Sequence, residues 1–194
     1  LHYDPQEPLY MGYDPGNFQS LIVAQKKDYG RRLDIIKEFF AFLPKDYNDL
    51  VAEVHQFFGS AAVNKTIYLY PDRAGNKRKE EREQITTDSL NLKAALESYG
   101  FMVVLYNEDA PTIYHWQQFK LCQMLFGERS PLLPIVRIDE NECKNLCSAI
   151  MISPLKKTEG KIELDKSSAK KQQLKNQEGL TTQLPSDMIY VIYG

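Results

Sequence analysis

Three aspartates stand where carboxylates could act together. Asp14 ends the apolar stretch PLYMGYD, Asp72 ends TIYLYP, and Asp187 opens the apolar tail DMIYVIYG. Strand ends on one side of an α/β sheet converge in space, and ligands bind there. Three carboxylates brought close together repel one another and stay ionised only if a cation joins them. An all-oxygen donor set suits Mg²⁺ or Mn²⁺, whereas zinc favours His or Cys. Two such ions about 4 Å apart activate a water and stabilise the leaving oxygen in phosphodiester cleavage.

Each acid also has an ordinary structural role open to it. Asp14 precedes Pro15-Gly16-Asn17, and Asp-Pro-Gly is common turn chemistry. Asp72 lies in Pro-Asp-Arg-Ala-Gly, another turn sequence, and Asp187 in Pro-Ser-Asp suits a helix start. The chain holds 26 acidic residues, so spacing alone does not choose between the two roles.

The elements that must position these acids follow from the apolar pattern. Residues 8–14 and 18–27 predict two strands turned back on each other at Pro15-Gly16-Asn17. Residues 31–43, RRLDIIKEFFAFL, alternate only partly, and Asp34 and Glu38 inside the run leave helix and strand both open. The hairpin before it favours a third antiparallel strand. Residues 46–58 place Leu50, Val51, Val54, Phe57 and Phe58 on one helical face. A buried strand over 66–71 follows, then a polar loop. Next comes a helix over 87–99, with Thr87 or Asp88 as cap and Gly100 as stop. Residues 101–106 and 133–138 read as strands, and 112–126 and 142–153 as helices. Short apolar strands alternating with helices imply parallel strands with helices on both faces. The expected fold is therefore a mixed α/β sheet, an antiparallel three-strand meander followed by parallel strands. Residues 154–180 are polar and Lys-rich, expected to be exposed, with a small hairpin around Gly160. The terminal stretch suits a helix after Asp187 or a strand equally.

Composition narrows the class. At 194 residues, with 43% hydrophobic and 26% charged, the chain fits one domain with a core of its own. It has no apolar run of membrane-spanning length. The opening LHYDPQEPLY lacks Met and the pattern of a signal peptide, as expected of a piece of a longer chain that is not secreted. The net charge of −2 argues against a generally basic nucleic-acid binder and leaves local patches open. Cys122, Cys143 and Cys147 make no zinc pattern and read as reduced structural thiols. His55 and His115 read as packed or surface residues, and Trp116 and the Tyr-rich surface as core rather than as a base-stacking platform.

The segments GYDPG with FQSLIVAQ, IYLYPDRAGNKRKEE, and KIELDKSSAKK with LTTQLPSDMIYVIYG follow a recognisable order. In that order the sequence resembles the C-terminal nuclease domain of the large terminase subunit of tailed bacteriophages, which has an RNase H-like fold. The resemblance runs from about residue 8 to 194. It implies one RNase H-like nuclease domain over 1–194, with Asp14, Asp72 and Asp187 as catalytic ligands of two Mg²⁺ or Mn²⁺ ions. Asp14 would bridge the pair. Many relatives carry a His three residues before the last acid. Here Leu184 stands there, so a proton-transfer His is not supported, and Ser186 is a weak substitute.

The resemblance further implies an endonuclease that cuts double-stranded viral DNA during packaging in the host cytoplasm. The small terminase subunit and the portal protein would be its partners in the full-length context. The ATPase motor of a whole subunit would lie outside this chain, which has no G-x-x-x-x-G-K-[ST] phosphate loop. Two other readings stay open: a RuvC-like Holliday-junction resolvase, and a non-catalytic module that docks DNA or the portal. Basic residues near the acids, Arg73, Lys77, Arg78, Lys79 and Arg82, then Lys166, Lys170 and Lys171, are candidate phosphate contacts. Glu80, Glu81 and Glu83 interleave the first group, and solvated loops would look the same.

Overall fold

A computed structural model describes residues 1–15, 19–42, 44–72, 79–81, 84–106, 115–128, 130–152, 155–158, 160–164, 188–189 and 191–192. The opening meander is β1 (Leu9–Asp14), β2 (Gln19–Lys27) and β3 (Arg32–Ala41). Residues 20–25 of β2 are all buried, as a central strand covered on both faces requires. After the meander come α1 (Tyr47–Val54) and β4 (Thr66–Pro71), then a hairpin of β5 (Lys79–Glu81) with β6 (Gln84–Thr86). The chain continues through α2 (Asp88–Ser98), β7 (Met102–Leu105), α3 (His115–Phe126), β8 (Ile135–Ile138) and α4 (Lys144–Ile152). The strand order is β7-β4-β1-β2-β3-β8. β1 pairs parallel with β4, β4 with β7, and β3 with β8, while β2 runs antiparallel to both of its neighbours.

The sheet divides two apolar layers. Leu9, Met11 and Tyr13 of β1 face one layer with Leu50, Val51 and Val54 of α1 and Leu92 and Leu96 of α2. Ile22 and Ala24 of β2 face the other, with Leu125 of α3, Leu146 of α4, and Met188 and Val191 near the C-terminus. Helices therefore cover both faces, as the alternation implies. Met188, Ile189, Val191 and Ile192 are helical, which decides between the two forms open to the tail.

The partial alternation of β3 has a cause. Val23 pairs with Lys37 but Ala24 pairs with Ile35, so Ile36 is an extra residue, a bulge. One inserted residue exchanges the faces of everything beyond it. Leu33 and Ile35 enter the second layer, and Ile36, Phe39 and Ala41 enter the first. The two acids of the run are then accounted for separately. Asp34 is buried and accepts from Arg32 Nε at 2.9 Å and Nη2 at 3.2 Å. Glu38 reaches the start of α4, where its carboxylate accepts from Asn145 N (2.9 Å), Asn145 Nδ2 (2.8 Å) and Leu146 N (2.7 Å). A buried carboxylate is tolerable here because orphan amides of a helix start surround it.

Caps set the other helices. Asp46 accepts from Asn48 N at 2.7 Å, and Asp49 accepts in return from Asp46 N at 2.9 Å, a reciprocal capping box for α1. That helix continues into a π turn over His55–Gly59. A Cβ at Gly59 would come 2.2 Å from His55 Nδ1, so only glycine lets the turn close. His55 packs against Tyr99 with ring centroids 4.6 Å apart, the packed role expected of it. Thr87 caps α2, and Gly100 ends it with φ at +85°, as its sequence signals.

Two features add to the sequence reading. The polar loop before α2 contains the β5–β6 hairpin. The last strand of the main sheet, β8, whose place the sequence left open, joins the edge beside β3. The hairpin expected at Gly160 is present as β9 (Leu155–Thr158) and β10 (Lys161–Leu164), with Gly160 at φ +81°, and β10 packs against α3. Among the described residues no helix is long and apolar enough to cross a membrane. The three cysteines are free, and burial pushes the thiols of Cys122, to about 11, and Cys143 upward.

Three outcomes follow from this packing. Glu38→Ala leaves helix-start amides without an acceptor and should lower the unfolding free energy by about 1–3 kcal/mol in urea titrations, with Glu38→Gln losing less. Asp46→Ala should cost about 0.5–2 kcal/mol by the same measurement. Iodoacetamide at pH 8 should modify Cys143 only once the protein is unfolded.

Candidate metal and phosphodiester site

Asp14 is the last residue of β1, and Asp72 immediately follows β4. The pairing of Tyr13 with Pro71 puts the next residue of each strand, the two aspartates, side by side. Adjacent strands lie about 4.8 Å apart. The Asp72 amide donates to the Tyr13 carbonyl at 2.7 Å, which extends the parallel ladder to the first acid's level. The two readings of Asp14, turn former and site residue, are compatible. Pro15 follows it, and Asp14 itself stands at the strand end.

Which face the carboxylates take follows from alternation along the strands. Leu9, Met11 and Tyr13 enter the layer under α1 and α2. Tyr10, Gly12 and Asp14 therefore share the opposite face. Tyr68, Tyr70 and Asp72 match them across the register. Asp14 is 8% exposed, and its antiparallel neighbour Ser20 on β2 is fully buried.

The third predicted acid, Asp187, lies outside the described residues. Its successor Met188 is fully buried in the layer on the same face as Asp14. Among the described residues, no group of three His, Cys, Asp or Glu side chains forms a metal cluster. The structure thus brings Asp14 and Asp72 together. Of the predicted phosphate contacts, Lys79 opens β5 opposite Thr86. Arg73, Lys77, Arg78, Arg82, Lys166, Lys170 and Lys171 lie outside the described residues, as do Leu184 and Ser186.

A feature beside the acids goes unread in the sequence. On the same face Tyr10 stacks on Tyr68 with centroids 5.0 Å apart and planes 29° apart. Tyr70 stacks on Tyr106 at 5.1 Å and 24°, and Tyr106 meets Tyr68 at 5.8 Å. Burial pushes the Tyr70 hydroxyl up to about 12 and raises that of Tyr10, so both phenols stay protonated at neutral pH. The available signal is the period-two placement of Tyr68, Tyr70 and Asp72, and of Tyr10 and Asp14.

No family model matches the chain, and no curated protein does. Among solved structures, the large terminase of a thermophilic bacteriophage superposes on 93% of this chain in two crystal forms. The TM-scores are 0.52 and 0.53 at 12% identity. The chain spans 40% and 41% of that protein's length, about two fifths of it. The nuclease domain of the bacteriophage SPP1 large terminase, g2p, solved with bound Mn, aligns over 90% of this chain and 85% of its own. Its TM-score is 0.47 at 13% identity, and it adds no weight to the assignment. With an antiparallel meander leading into parallel strands and helices on both faces, the chain has an RNase H-like α/β fold, the fold of part of a phage large terminase.

Proposed function

We propose that this chain is the nuclease part of a phage terminase large subunit, a metal-dependent endonuclease that cuts double-stranded DNA during genome packaging. The observation that carries this reading is the placement of Asp14 and Asp72 at the ends of two neighbouring parallel strands, on one face. The fold shared with part of the thermophilic phage's terminase supports it. Among the described residues no His or Cys joins the two carboxylates in a zinc-type cluster, and all-oxygen donors fit Mg²⁺ or Mn²⁺.

Asp14, on β1 between β2 and β4, would be the central ligand in this reading. Asp72 and Asp187 would complete the set of carboxylates that hold the metal. The burial of Met188 on the face of Asp14 supports Asp187 as the third ligand. When bound, such ions supply an activated water and stabilise the leaving oxygen. The chain's own part would be to hold the carboxylates of Asp14 and Asp72 at two neighbouring strand ends, with Asp187 as the third, so that the phosphodiester is oriented for in-line attack with the 3′ oxygen departing. Arg73, Lys77, Arg78, Lys79, Arg82, Lys166, Lys170 and Lys171 would neutralise phosphates without reading bases. The small subunit, the portal protein and the host cytoplasm belong to the same proposal.

Asp72→Asn should reduce Mn²⁺-dependent plasmid nicking to background while the melting temperature stays close to that of the parent. Chelation with EDTA should do the same to the parent protein, and added Mn²⁺ should restore cutting. Full activity in Asp72→Asn would sink the assignment. Faster cleavage of four-way junctions than of linear duplex would move it to a resolvase.

A further inference from the structure

The stacked tyrosines run from the interior to the surface. Tyr70 is buried and Tyr10 packs against the second layer, whereas Tyr106 is 41% exposed and offers its ring to solvent. The array is also placed in a definite relation to the two acids. Tyr10 and Tyr68 pair across β1 and β4, four residues before Asp14 and Asp72. Tyr70 is two residues before Asp72. Tyr106, whose amide donates to the Leu69 carbonyl at 2.8 Å, follows β7 at the level of Tyr70. At about 3.3 Å per residue along a strand, the Tyr70–Tyr106 pair lies about 7 Å from the strand ends and the Tyr10–Tyr68 pair about 13 Å. Lys26 closes the far end, its ammonium 4.4 Å from the centre of the Tyr10 ring.

We infer that this array is a stacking platform for an unpaired nucleotide of the strand held at Asp14 and Asp72. Tyr106 is the ring that meets the base. Tyr70 and Tyr68 hold it from behind, and Lys26 supplies positive charge along the same face. Aromatic rings bind bases through their π-faces without regard to sequence, and cationic groups beside them follow the phosphates. A paired base cannot offer its face, so the platform selects DNA with an unpaired stretch next to the cut over uninterrupted duplex. The inference rests on the nuclease reading and deepens it by naming the form of DNA the site takes.

The test uses the full chain and two probes: a blunt duplex, and the same duplex with a short single-stranded overhang carrying 2-aminopurine. Fluorescence anisotropy gives the affinity, and 2-aminopurine quenching reports stacking. The parent protein and Tyr106→Phe should prefer the overhang duplex and quench the probe. Tyr106→Ala should bind the overhang duplex about fivefold or more weakly, lose the quenching and bind blunt duplex as before. Equal affinity and quenching in all three proteins would overturn the platform, as would no preference by the parent for the overhang. A loss in Tyr106→Ala that is equal on both probes would overturn it too. Tyr106→Phe keeps an aromatic ring and guards against a folding defect in the alanine variant. The nicking assay on Asp72→Asn reads the metal site alone, so loss of either idea is seen separately.

Discussion

The parallel pairing of β1 with β4 is the contact on which the rest of the molecule depends. It joins the meander to the β4–β7 side of the sheet. It also sets two acids one strand spacing apart. At that separation two unit charges in surroundings of effective dielectric about 20 repel by on the order of 3 kcal/mol. In the proposed metal site a cation between them would offset that repulsion. The surrounding framework is correspondingly stiff: β2 is buried on both faces and two separate helical layers clamp the sheet.

Much of this is legible in the sequence, for identifiable reasons. Apolar runs with clear ends, such as TIYLYP, and helices with signals at both ends, such as Thr87 to Gly100, announce themselves locally. The acids at the ends of the first and fourth strands can be placed because strand position is readable. Their side-by-side register cannot, since it depends on which strands pair. The placement of β8 beside β3 is hidden for the same reason: a four-residue strand carries no record of its neighbour. Glu38 looks anomalous in the sequence because its partners, Asn145 and Leu146, lie more than a hundred residues along the chain. The tyrosines read as core because aromatic residues usually are. Their alternation with Asp14 and Asp72 places them on the acids' face, but only the structure joins rings of β1, β4 and the end of β7 into one array.

Two buried acids of β3 help to fix the fold. Asp34 and Glu38 are engaged by the guanidinium of Arg32 and the amides of α4, so their charge is answered inside the molecule. Asp14 and Asp72 stand side by side where the backbone ladder of β1 and β4 ends.

The extra residue at Ile36 makes β3 a phase inverter. On one side of it the strand speaks to the layer of α3 and α4, and on the other to the layer of α1 and α2. A single continuous strand thus belongs to both cores, and neither can loosen alone without tugging on the other through one peptide backbone. Two helical layers on opposite sides of a sheet are mechanically geared by one residue that the β2 register passes over.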